Sequence, residues 1–158
     1  MDWPFGARYR VTHQSMIIGE YTHSLDDKKR ISLPAKFRKE VGKKIVVTRG
    51  LDSCLYLYPE KQWKRIVGEV EELGIGARDK RKLSRYFIGG AQEVDVDSLG
   101  RILIPEHLRT FAQLKSKVVF IGLANRIEIW NDSTWKALQQ SIEKDADQTA
   151  ENLSGLTF

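Results

Sequence analysis

The chain has 158 residues, 41% hydrophobic and 30% charged, the size and composition of one globular domain built on one core. Its apolar runs are a few residues long against the roughly 20 that cross a bilayer, and no apolar stretch follows Arg8 and Arg10; a cytoplasmic protein with neither membrane span nor secretory leader is expected. Net charge is +5 with a pI near 9.3, and the lone Cys54 excludes an internal disulfide.

Residues 1–15 have no clear period and contain Pro4 and Gly6, so they are read as a loose extension, with Met16 a candidate translation start. Tyr21, His23 and Leu25 then alternate with Thr22 and Ser24, which predicts a strand with one buried face. After the turn Asp26-Asp27-Lys28-Lys29-Arg30, Ile31 and Leu33 continue the alternation until Pro34, which has no N–H to give a ladder. A short helix or turn over 35–41 points Phe37 and Val41 inward. Strands follow at 45–48 and 55–58, joined by the turn-forming run 49–53. Beyond Pro59, Trp63, Ile66, Val67, Val70 and Leu73 share one helical face, and Gly74 and Gly76 end that helix. A further helix is expected from an N-cap at Asp79 to Phe87, closed by Gly89-Gly90.

The plan then restarts. A strand to Val96 leads into Asp97-Ser98-Leu99-Gly100-Arg101, and a strand to Ile104 is stopped by Pro105. A turn through Leu108 and Phe111, strands at 118–121 and 127–130, and a helix capped by Asn131 or Asp132 complete it. Trp135, Leu138 and Ile142 should face inward on that helix, and 146–158 reads as a frayed polar tail.

Both turns read Asp-x-x-x-Arg-Ile-x-aliphatic-Pro, 71 positions apart, and no other Asp in the chain has an Arg four residues on. The same offset pairs Phe37 with Leu108 and Arg38 with Arg109; at 72 it pairs Val46-Val47 with Val118-Val119, Gly50-Leu51 with Gly122-Leu123, and Trp63 with Trp135. Two copies are too few for a solenoid. The expected fold is therefore α+β: a pseudo-twofold small β-barrel of two repeats, 16–75 and 76–145, with flanking helices. The copies would bury each other's apolar faces.

Charge is unevenly placed. Lys28, Lys29, Arg30, Lys36, Arg38, Lys39, Lys43 and Lys44 are opposed only by Glu40 between positions 28 and 44. From Glu128 onward the acidic residues outnumber the basic ones. Such a front suits a polyanion, although a charge run by itself is as readily a solvated face. The turns add a reason to prefer the first reading. An Asp at such a turn can accept its backbone N–H groups and also hold the Arg four residues on, leaving guanidinium N–H groups for phosphate or for guanine O6 and N7. A single exposed ion pair would be structural and weak; two in register beside the most basic segment mark a contact surface. The candidate DNA-binding residues are Arg30, Arg101, Asp26, Asp97, Lys28, Lys29, Lys36 and Arg38, the last two reaching phosphate or remaining solvated.

The segments GEYTHSLD, KKR, SLPAKFR, TRGLDSCLYLYP and VDSLGRILIP together resemble the MraZ family of bacterial transcriptional regulators, over nearly the whole chain apart from its two ends. The resemblance implies an AbrB-like, swapped-hairpin barrel. It also implies a homo-oligomeric ring whose Asp-x-x-x-Arg tips contact double-stranded promoter DNA at direct repeats ahead of the division and cell-wall gene cluster, hence a nucleoid-associated protein. Members often carry Gly before the first Arg, where this chain has Lys29. Either the first tip bends differently, or Lys29 accepts a left-handed backbone and adds a phosphate contact.

Other chemistry is not expected. His13, His23 and His107 lie far apart with no ligand spacing, so neither metal nor cofactor is implied, and no nucleophile has a base and an orienting partner. Cys54 reads as a small buried hydrophobe, and Trp63 and Trp135 as core. The alternative to a DNA-binding regulator is an antitoxin-like interaction module holding an acidic protein.

Overall fold

The structure is a computed structural model and describes residues 16–74, 76–153 and 155. The expected N-terminal extension lies outside the described residues, as does most of the chain beyond 153. The first repeat comprises β1 (Ile17–Ser24), β2 (Arg30–Ser32), α1 (Ala35–Val41), β3 (Lys44–Arg49), β4 (Leu55–Pro59) and α2 (Glu60–Glu71). Helix α3 (Ala77–Leu83) and a π-helical turn (Ser84–Ile88) lead into the second. There follow β5 (Gln92–Asp95), β6 (Arg101–Leu103), α4 (Glu106–Phe111), β7 (Lys117–Ala124), β8 (Ile127–Asn131) and α5 (Asp132–Asn152). Among the described residues no helix is long and apolar enough to cross a membrane.

Pro34 and Pro105 end β2 and β6 and stand as N-caps of α1 and α4, so one residue type makes both stops and both helix starts. The Asn131 side chain caps α5, accepting the N–H groups of Ser133 at 2.8 Å and Thr134 at 3.2 Å.

Most strand pairing crosses between the repeats. The main sheet is antiparallel in the order β1-β7-β8-β4-β3-β5, and β2 pairs with β6 in a separate two-stranded ribbon. Only β3–β4 and β7–β8 are hairpins within a repeat; β1 lies on β7, β5 on β3, β4 on β8 and β2 on β6. In the ribbon Ile31 faces Ile102, and in the sheet Tyr56 faces Glu128. Each is a residue opposite its own repeat equivalent, so the pseudo-twofold passes through both pairs. The core is likewise made of equivalents, with Ile31 and Ile102, Leu33 and Ile104, Phe37 and Leu108, Leu55 and Ile127, and Leu57 and Ile129 all buried in one cluster.

Several expectations need correction. The small barrel does not close: β1 and β5 are the two edges of the sheet, because the chain leaves each of them through a tip into the separate ribbon. Strand β1 begins at Ile17, ahead of the alternating residues, since its ladder with β7 runs from Ile17 opposite Ala124. Asp79 lies in the first turn of α3, and Gly76 holds the cap position. Ile142 is 50% and Leu73 40% exposed, because α5 outruns the β7–β8 surface it packs on and Leu73 lies past the end of α2. The expected tail from 146 is helical as far as Asn152; the run from Lys144 contains neither Gly nor Pro, and Gln148 bonds Asn152 one turn on. Trp63 packs half-buried on Tyr58 and Phe87, and Trp135 on Trp130.

Because the repeats share every layer, they should unfold together. Ile102→Ala, on the pseudo-twofold, is expected to cost about 2–5 kcal/mol. Urea unfolding followed by tryptophan fluorescence should show one transition, with Trp63 of the first repeat and Trp130 and Trp135 of the second responding at the same midpoint.

Candidate nucleic-acid interface

The two tips match bond for bond. In the first, Asp26 Oδ1 accepts the backbone N–H groups of Lys28 and Arg30, each at 2.9 Å, while Oδ2 accepts Arg30 Nε–H at 2.9 Å. The Asp26 N–H donates to the Arg30 carbonyl at 2.9 Å, and Lys29 N–H to the Asp26 carbonyl at 3.0 Å. In the second, Asp97 Oδ1 accepts Leu99 N–H at 2.9 Å and Arg101 N–H at 2.8 Å, and Oδ2 accepts Arg101 Nε–H at 2.8 Å. Asp97 N–H and Gly100 N–H close the turn onto the Arg101 and Asp97 carbonyls.

The first tip does not bend differently for want of a glycine. Lys29 has φ 63° where Gly100 has φ 77°, so Lys29 accepts the left-handed conformation. Both its side chain and that of Lys28 are exposed.

Each guanidinium is held edge-on through Nε, rather than by a two-pronged fork, and its terminal nitrogens make no further hydrogen bond among the described residues. The side chains of Arg30 and Arg101 are 31% and 27% exposed, which leaves them oriented by their surroundings yet open to a ligand. The Arg30 backbone N–H, then its guanidinium and the Lys28 N–H, hold the Asp26 carboxyl below the ordinary carboxylate range, against a partial desolvation that acts the other way. Arg101 N–H, the Arg101 side chain and Leu99 N–H do the same for Asp97.

The two arginines, 71 positions apart in the chain, lie on one ribbon. In the β2–β6 register Arg30 faces Leu103 and Ser32 faces Arg101, with Ile31 and Ile102 turned into the core. The arginines are thus diagonal neighbours on the outward face, about 7–8 Å apart at Cα for such a pair.

Each tip also receives cations from the other repeat. Arg38 donates through Nε to the Leu33 carbonyl at 2.9 Å, and a Cβ on Gly100 would overlap its guanidinium. Arg38 and Lys43 line a cleft of about 510 Å³ with Asp97, Ser98 and Gly100. At the first tip Arg109 and Lys115 line one of about 520 Å³ with Asp26, Asp27 and Lys29. Arg109 reaches the Ile104 carbonyl through Nη1 where Arg38 uses Nε. Lys36 is exposed on α1 but borders neither cleft. Arg109, which like Lys36 and Arg38 follows a proline stop, is thus placed at a tip; Lys43 and Lys115 were not among the candidates, although the 72-residue offset pairs them.

Among the described residues no group of three His, Cys, Asp or Glu could hold a metal ion. Cys54 is buried with Sγ–H on the Leu51 carbonyl at 3.2 Å, and burial pushes its thiol up, away from nucleophilic character.

Compared with known proteins, residues 16–86 and 87–156 each match the family described as "MraZ protein, putative antitoxin-like". A protein named "Transcriptional regulator MraZ" from Caldanaerobacter subterraneus subsp. tengcongensis is 43% identical over 143 residues, covering 90% of this chain and all of that one. Proteins of the same name from Natranaerobius thermophilus and Halothermothrix orenii are each 44% identical, covering 87% and 89% of this chain and 96% and 99% of theirs.

Two outcomes follow from the tip geometry. Lys29→Gly should raise stability slightly in thermal unfolding: relief of about 1–2 kcal/mol of left-handed strain exceeds the roughly 0.5–1 kcal/mol of chain entropy that glycine adds. Because the Asp26 and Asp97 carboxyls are depressed when folded, the clamps' contribution is present above the unfolded value near 3.8 and is lost only as pH falls through the lower folded values. Carboxyl NMR titration should place both midpoints below those of the same residues in unfolded peptides.

Proposed function

The chain belongs to the MraZ family, whose named members are transcriptional regulators and not enzymes, and we propose that it regulates transcription by binding promoter DNA through the β2–β6 ribbon and its two Asp-x-x-x-Arg tips. The observation that carries this reading is the pair of identically clamped arginines on one outward face. A two-stranded ribbon fits a major groove about 12 Å wide, and an oriented guanidinium suits guanine O6 and N7 or a phosphate. Asp26 and Asp97 position; Arg30 and Arg101 contact. Lys28, Lys29 and Arg38, with Lys36 farther out, meet phosphates.

The protein then acts in the cytoplasm on nucleoid DNA, at direct repeats in the promoter of the division and cell-wall gene cluster. One ribbon makes few contacts, so binding gains from a homo-oligomeric ring that presents several ribbons to successive repeats at high effective concentration. An antitoxin-like module holding an acidic protein would use the same cations. It is distinguished by indifference of the purified protein to the DNA upstream of its own gene.

On duplex DNA from that region, log affinity should fall linearly with log salt, with a slope of about −0.9 for each phosphate contacted. Arg30→Ala and Arg101→Ala should each abolish most specific binding while leaving the circular dichroism spectrum unchanged. Operator binding equal to that of the parent in both variants would remove the tips from the interface.

A further inference from the structure

The two tips share a backbone but not a chemistry. The 71-residue offset pairs Asp27 with Ser98, Lys28 with Leu99, Lys29 with Gly100 and Ser32 with Leu103. The N–H groups of Lys28 and Leu99 hold the same place, each bonded to the clamping Oδ1 at 2.9 Å. One position therefore presents an ammonium at the first tip and an isobutyl group at the second.

Leu99 is 63% exposed and Leu103 53%, and neither belongs to either core cluster. Turn apices ordinarily carry polar or turn-forming residues. Leu103 faces Arg30 across the ribbon, and Leu99 precedes Arg101 by two residues. A lone exposed leucine needs no explanation. Two beside the clamped arginines, each standing where the first repeat has a polar residue, form a pattern.

We propose that Leu99 and Leu103 are sequence-reading residues that close on the 5-methyl groups of thymines in the major groove, next to the groups engaged by Arg30 and Arg101. The inference rests on the DNA-binding reading above. The thymine methyl is the apolar feature of the major-groove edge, and contact with it releases no counterions. Contact between Lys28 or Lys29 and a phosphate does, and is salt-dependent. The first repeat thus supplies salt-sensitive affinity at its tip, and the second supplies discrimination.

The test uses the full chain and a duplex from upstream of its own gene, compared with the same duplex carrying uracil in place of thymine across the protected region, a change that removes only methyl groups. The parent should bind the uracil duplex more weakly, by roughly fourfold for each methyl contacted. Leu99→Ala and Leu103→Ala should bind thymine DNA more weakly than the parent, lose part of the thymine-to-uracil ratio, and keep the parent's salt slope and melting temperature. Lys28→Ala should do the reverse, lowering the slope by about one with the ratio intact. Equal binding of the two duplexes by the parent, or a parental ratio in both leucine variants, overturns the assignment. Arg30→Ala and Arg101→Ala on the same duplexes separate the levels: parental binding by both removes the tips from the interface and the leucines with them, whereas loss of binding alongside parental ratios in the leucine variants brings down only the leucines.

Discussion

Antiparallel pairing of β2 with β6, with Ile31 set against Ile102, is the constraint on which the rest depends. A three-residue strand makes too few ladder bonds to persist alone, and each of these exists only because the other repeat supplies its partner and a sealed core beneath it. The same crossing governs β1 with β7 and β5 with β3, so a half-chain would keep one hairpin and leave two of its four strands unpaired. Pairing also fixes what the ribbon presents outward. With two isoleucines turned inward, the neighbours on either side must turn outward, and those neighbours include both arginines.

The carboxylate clamp does something different from holding the fold together. Asp26 and Asp97 keep about a third of their side-chain surface in contact with water, where ion pairs contribute little to stability. What each clamp removes is conformational freedom. One carboxylate engages two backbone amides and a guanidinium, so the arginine's long side chain is ordered before any ligand arrives. Arg38 and Arg109, tied to the carbonyls of Leu33 and Ile104, extend that ordering to the rims of the tips.

Much of this was written locally in the chain. The duplicated turns, the proline stops and the inward Ile31, Leu33, Phe37 and Val41 follow from short-range periodicity and from the chemistry of Pro and Asp, and the structure has them. What local pattern does not carry is which strand meets which. Alternation marks a buried face but not the partner, so the ribbon shared between repeats, and with it the adjacency of Arg30 and Arg101, emerged only from the register. The length of α5 was missed because a polar run reads as fraying until the absence of a breaker is weighed. Lys29 illustrates the opposite case: propensity argued for another bend, and the bonds of the turn overrode it. Lys43 and Lys115 were within reach, since the repeat offset makes them equivalents and both lie in step with Arg38 and Arg109.

The unlike apices have a consequence for polarity. A head with true twofold symmetry would fit a duplex equally well in either orientation and would favour inverted sites. With lysines at one end of the ribbon and a leucine at the other, turning the molecule end for end exchanges a cation for a hydrocarbon. A duplicated fold has in this way acquired a head and a tail, so that on the DNA-binding proposal each copy would take its direction along a duplex from the direction of the site it meets.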